Sequence, residues 1–141
     1  MIDTNKYSIE KITLSAKETM GEHLGIEITE IGTDFLSGKM PVDHRTIQPA
    51  GILHGGASVV LAETLGSIAG NCSVDSEKYY CVGLEINANH IRPVKSGNWV
   101  FGTAKAIHIG KKTHIWEINI KNQEDKLVCV SRLTLSVIEK T

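Results

Sequence analysis

The feature that most constrains the fold is a change of hydrophobic period part-way along the chain. The stretch GGASVVLAETLGSIAGN, from Gly55 to Asn71, contains no proline and no basic residue. Leu61, Leu65 and Ile68 recur in it at helical intervals among small alanines. Apolar residues three and four apart share one face of a helix, so the spacing predicts a helix that begins near Gly55–Gly56 and stops near Gly70–Asn71. From Tyr79 on, the period becomes two. YYCVGLEINANHIRP, NWVFGTAKAIHI, THIWEINIK and KLVCVSRLTLSVI alternate as strands do, the last three joined by the short polar connections GKK and NQED. Strict alternation in the first run places Tyr80, Val82, Leu84, Ile86, Ala88 and His90 on one side. One long helix followed by an antiparallel meander is an α+β arrangement, a single curved sheet covering a single helix.

Ahead of that helix, Ser15 with Glu18 forms a capping-box pattern and predicts a short helix starting at Ser15. GIEITEIGTDFLSGKMPV alternates on both sides of Gly32, as a bent strand or a hairpin would, and DHRTIQPAGILHGG is a loop by its proline and glycines. The 141 residues suit one domain, 1–141, with one core. Fifteen basic residues against sixteen acidic ones supply no positive field for nucleic acid or a membrane surface. MIDTNKYSIEK lacks the apolar centre of a secretory signal, and no apolar run approaches the ~20 residues of a membrane span, so a cytoplasmic protein is expected. Cys72, Cys81 and Cys129 have no short paired spacing and read as buried thiols. His108 and His114 flank a hairpin without a carboxylate or cysteine at ligand spacing, so no metal site is expected. Trp99 and Trp116 read as sheet packing.

The chemistry concentrates on the helix. Between Thr46 and Glu77 there is no lysine or arginine, yet Glu63 sits in the middle of this stretch. At 3.6 residues per turn, Gly56, Val60, Glu63 and Ser67 form one narrow stripe. Either Glu63 is the solvated edge of the helix or it lies in a cleft. In a small polar cleft a carboxylate is a candidate general base or nucleophile. The helix opens with HGGAS, whose first-turn amides sit at the positive end of the helix dipole and can hold a developing oxyanion. Gly55 and Gly56 permit close approach of a carbonyl there, although tight packing of the helix start is an equally good reason for them. Gln48 and His54 flank this turn and can orient a carbonyl or a water.

HRTIQPAGILHGGASVVLAETLGSIAG, together with VGLEINANHIRPVKSG, resembles the hotdog-fold thioesterases, within the branch that carries a catalytic glutamate on the central helix. That branch includes the 4-hydroxybenzoyl-CoA, phenylacetate-pathway, 1,4-dihydroxy-2-naphthoyl-CoA and enterobactin-proofreading thioesterases. The resemblance implies a helix wrapped by a curved antiparallel sheet and hydrolysis of an acyl-CoA or phosphopantetheinyl-carrier thioester, the acyl group being aromatic. It implies that Glu63 attacks the carbonyl or activates water, that the Gly55 amide polarises the carbonyl, that Gln48 and His54 align the thioester, and that Ser67 holds the water or the acyl ring. Gly56, His90 and Arg92 would contact coenzyme A, which is part of the substrate, so that no cofactor is needed. Lys111 and Lys112 could add a phosphate site, although a solvated turn explains them as well. A homodimer with Gln48 and His54 facing the partner's Glu63, paired again into a tetramer, is also implied. Two other functions compete: a hydratase or dehydratase on the same fold using His54 and Glu63, and a non-catalytic acyl-CoA-binding module.

Overall fold

A computed structural model describes residues 1–141. In chain order the elements are α1 (Ile9–Ser15), α2 (Met20–His23), β1 (Glu27–Ile31), β2 (Phe35–Val42), α3 (Gly55–Asn71), β3 (Tyr79–His90), β4 (Asn98–Ile109), β5 (Thr113–Asn122) and β6 (Leu127–Glu139). The strands form one antiparallel sheet in the order β1-β2-β4-β5-β6-β3, and α3 lies against it.

The periodicities explain the packing. On α3 the residues turned to the sheet are Ala57, Ser58, Leu61, Ala62, Leu65, Gly66, Ala69 and Gly70, a single helical face. On β5 every second residue is buried, and Trp116, Ile118 and Ile120 meet Leu133 and Leu135 of β6 and Leu61 and Leu65 of α3 in one core. Gly66 and Gly70 set how closely the helix approaches β6. A Cβ on them would stand 2.6 Å from Leu133 Cδ2 and 2.3 Å from Leu135 Cδ1. No helix is long and apolar enough to cross a membrane.

One local expectation, the capping box of Ser15 and Glu18, is corrected, and one left open is decided. Ser15 ends a helix instead of starting one: α1 is capped by Ser8, whose hydroxyl accepts from the Lys11 amide, and the Ser15 hydroxyl donates back to the Ile12 carbonyl. Glu18 has φ of 60°, so it belongs to the turn between α1 and α2. Gly32 lies in a hairpin, its amide donating to the Phe35 carbonyl, which decides between the two forms left open.

The four-strand meander holds only for β4, β5 and β6. Strand β3 pairs with β6 at the sheet edge, and β2 takes the place beside β4. The connection after β3 contains Pro93 and is pinned by backbone bonds from Leu53 to Val94 and from Ile91 to Val128. It therefore crosses the end of the sheet below the start of α3, and sequence neighbours do not become sheet neighbours.

A bulge at Leu84 overturns the sidedness expected for β3. Gly83 pairs with Leu135 but Glu85 pairs with Thr134, leaving Leu84 as the extra residue. Before it, Cys81 faces the core while Tyr80 and Val82 are exposed; after it, Ile86 and Ala88 pack on the core.

Candidate active site

The loop before α3 is held from within. Thr46 is buried; its hydroxyl donates to the Pro41 carbonyl at 2.7 Å, and its own carbonyl accepts from the His54 amide at 2.8 Å. The Gln48 amide donates to the Ile52 carbonyl at 2.9 Å, and its side-chain Oε1 accepts from the Ala50 amide at 2.7 Å. With Oε1 engaged in its own turn, the outward-facing capacity of Gln48 is its NH2 group, a donor.

His54 is the N-cap of α3, its Nδ1 accepting from the Gly56 amide at 2.8 Å. That bond requires an unprotonated Nδ1, so the neutral ring carries its hydrogen on Nε2 and presents a donor outward. The Gly56 amide is used up by this cap, and the Ala57 and Ser58 amides point back to the His54 carbonyl at 2.9 and 3.3 Å. The Gly55 amide takes part in none of these loop and cap bonds, so it is the first-turn donor left for an anion.

His90, at the far end of β3, packs its ring on Gly55: a Cβ on Gly55 would stand 2.7 Å from His90 Nε2. Tight packing therefore accounts for Gly55, and the partner is a candidate site residue. Gly55, Ser58, His90, Arg92 and Pro93 line part of a cavity of about 290 Å³. The Arg92 guanidinium donates to the Leu127 carbonyl across the mouth of the strand. Lys111 and Lys112 are not brought to this cavity. They sit in the β4–β5 turn beside Val137, which pairs with Cys81, nine residues from His90. Nine strand residues span about 30 Å.

Glu63 is half-buried and makes no ion pair. With Val59, Val60, Thr64, Ser67 and Ile68 it forms the face of α3 that the sheet leaves uncovered. Its carboxylate rests on β3 at Gly83, where a Cβ would stand 2.5 Å from Oε1. Ser67, with Thr64 and Ile68, opens instead into a cavity of about 710 Å³ closed by Met20 and Ile26. Within one chain, then, Glu63 and the Gly55–His90–Arg92 group do not share a cavity. They are eight residues apart on one helix, about 12 Å along its axis.

Asn71 does more than stop the helix: it clamps α3 to β3. Its Oδ1 accepts from the Cys81 amide at 2.8 Å, and its Nδ2 donates to the carbonyls of Ser67 at 2.9 Å and Cys81 at 3.2 Å. Gly83 carries a weaker signal in the sequence: a lone glycine within a strand pattern marks a bulge or a close approach.

The sequence pattern described as the Thioesterase superfamily matches residues 50–129, the segment from just after Gln48 through α3, β3, β4 and β5 to the start of β6. This chain belongs to the thioesterase superfamily. The 1,4-dihydroxy-2-naphthoyl-CoA hydrolase of Escherichia coli strain K12 is 48% identical over 133 residues, covering 91% of this chain and 96% of that protein. The proofreading thioesterase EntH of Cronobacter turicensis is 44% identical, covering 98% and 99%. The crystal structure of a thioesterase variant from Pseudomonas aeruginosa superposes with a TM-score of 0.95 at 44% identity, covering 99% of this chain and all of that one. The fold is thus the hotdog fold of these thioesterases, and the chain is an enzyme of the thioester-hydrolase class.

Proposed function

We propose that this thioesterase hydrolyses a bulky aromatic acyl-CoA, with Glu63 as nucleophile or general base, at a site completed by a second copy of the chain. The observation that carries the proposal is the position of Glu63: an unpaired carboxylate, the one charged group on the uncovered face of α3. An acid and an oxyanion donor must both lie ~3 Å from one reacting carbonyl. Two groups that each lie ~3 Å from one carbonyl are at most ~6 Å apart. Gly55 and Glu63 are about 12 Å apart along the helix and the Glu63 carboxylate is seated at Gly83, so they fit one carbonyl when they come from different chains. Strand β3 offers the seam. It is an edge strand of 12 residues, its outer backbone groups taken by Asn71 at Cys81, with Tyr80, Val82 and Leu84 exposed, whereas the short β1 edge has α1 beside it. Long apolar edges of this kind pair with another strand, and antiparallel pairing of two β3 strands lays the uncovered faces of two α3 helices side by side.

In that arrangement the Gly55 amide polarises the thioester carbonyl, while the Gln48 NH2 and the His54 Nε2–H align it. Glu63 either takes a proton from water as the water adds to the carbonyl carbon, or adds to that carbon itself and is released by water. Either way the C–S bond breaks, the thiol leaves with a proton and the free acid remains. Ser67, Thr64 and Ile68 open to a cavity large enough for a fused aromatic ring. His90, Arg92 and Gly56 at the helix start face the pantetheine and phosphates. The reaction calls for no cofactor, takes place in the cytoplasm where such thioesters occur, and extends to carrier-bound thioesters, which share the pantetheine arm. Pairing of two dimers through the outer sheet face, where Phe101 is exposed, gives the tetramer.

The test is thiol release from a panel of aryl- and alkyl-CoA substrates. The expected result is preference for aryl substrates and loss of turnover in Glu63→Gln with coenzyme A binding retained. Full turnover in that variant overturns the proposal.

A further inference from the structure

We propose that Gly83, with the bulge at Leu84, is the positioning residue for Glu63. This rests on the assignment of Glu63 as the acid of the reaction. At Gly83 the inward space is taken by one group only: a Cβ there would meet Glu63 Oε1 at 2.5 Å and Glu63 Cδ at 3.7 Å, and nothing else close by. A glycine inside a strand weakens it, so its presence needs a local reason, and the carboxylate is the reason on hand. The strand cannot retreat from a larger residue, because Asn71 holds both backbone groups of Cys81 two residues earlier. Displacement therefore falls on the free end of the Glu63 side chain. Moving Oε1 from 2.5 Å to ordinary contact shifts it by about 1 Å, a misplacement that can cost a reaction ~10²-fold in rate.

The bulge adds a second link. Without it, alternation from Gly83 would turn Glu85, Asn87 and Asn89 towards the helix. With Leu84 extra, Ile86 and Ala88 turn inward instead, and His90, exposed at the strand end, lies against Gly55, so a single strand seats Glu63 at Gly83 and meets the helix start. β3 thereby sets the carboxylate and the helix start in one frame.

The experiment measures kcat, KM and melting temperature for Gly83→Ala and Gly83→Ser in the full chain, with Glu63→Gln alongside. The expected result is a fall in kcat of about 10²-fold for Gly83→Ala with KM nearly unchanged, a larger fall for Gly83→Ser, and a preserved fold. If Gly83→Ala does not fold, the Gly83→Ala/Glu63→Ala double variant is expected to fold again, since the only obstructing group has been removed. Wild-type kcat in Gly83→Ala beside an inactive Glu63→Gln overturns the proposal and leaves the role of Glu63 standing. So does a rise in KM alone, or a double variant as unstable as the single one. An active Glu63→Gln removes the role of Glu63 and this proposal together.

Discussion

Asn71 and Cys81 are joined by two hydrogen bonds, Cys81 amide to Asn71 Oδ1 at 2.8 Å and Asn71 Nδ2 to Cys81 carbonyl at 3.2 Å. Through them the end of the central helix grips the edge strand just before Gly83. Asn71→Ala leaves both backbone groups of Cys81 without these partners, at a cost of about 1–3 kcal/mol. At this chain length that lowers the melting temperature by roughly 2–4 °C per kcal/mol. Calorimetry checks the shift, and Asn71→Asp, which keeps the acceptor but loses the donor, is expected to fall between the two.

The proposed site gives His54 two separable tasks. Its Nδ1 caps the Gly56 amide and its Nε2–H faces outward. His54→Ala should lose both the cap, worth about 0.5–2 kcal/mol, and turnover. His54→Asn restores a capping oxygen without restoring the outward donor, so its melting temperature should recover while kcat does not. Parallel melts and steady-state rates on the two variants check this.

His114 makes stability depend on pH at the acid side. It is 1% exposed, and burial, assisted by the nearby amino terminus and offset in part by its bond with Gly110, holds its pKa below the usual histidine value. The folded state therefore binds fewer protons than the unfolded one once pH drops below ~6.5. The stability contributed by neutral His114 is complete above that value and declines as pH falls towards the folded pKa. Melting temperatures measured from pH 8 to 5 should drop in the wild type and much less in His114→Gln.

The thiols act at the opposite end of the scale. Burial pushes Cys72 and Cys81 up to about 11. The folded state keeps those protons after the unfolded thiols ionise near their ordinary value of 9.0, so stability should fall as pH rises from about 9 to 11. Cys81→Ala is expected to flatten that decline in a denaturant series.

How much of this was legible depended on whether the cause was local. Helix α3 and the hairpins β4–β5 and β5–β6 announce themselves, because period 3.6 and period two are written into neighbouring residues. Ser15 and Glu18 misled because Ser8 supplied the better cap and Glu18 adopted a left-handed turn, a contest that only the folded chain decides. The place of β3 beside β6 has no local signal, being fixed by the pinned Pro93 crossover, and a single inserted residue, Leu84, was enough to invert half a strand. At the site, the double glycine marked the helix start, but the cap by His54 and the open amide of Gly55 became visible only in the hydrogen bonds of the folded loop. Lys111 and Lys112 show the limit: charge type suggested a phosphate rim, but strand register carries them to the other end of the sheet from His90. The roles at Gln48, Glu63 and Ser67 came from family resemblance, since spacing alone left Glu63 either wet or clefted.

Mixing two inactive variants tests the shared site most directly. One carries Glu63→Gln; the other carries Gln48→Ala with His54→Ala. Unfolded together and refolded, half of the resulting dimers are mixed, and each holds one site whose glutamate and aligning residues are all native. The site built across two chains therefore predicts recovery of about a quarter of wild-type activity. Mixed dimers that form, as native mass spectrometry would show, and yet hydrolyse nothing would contradict it.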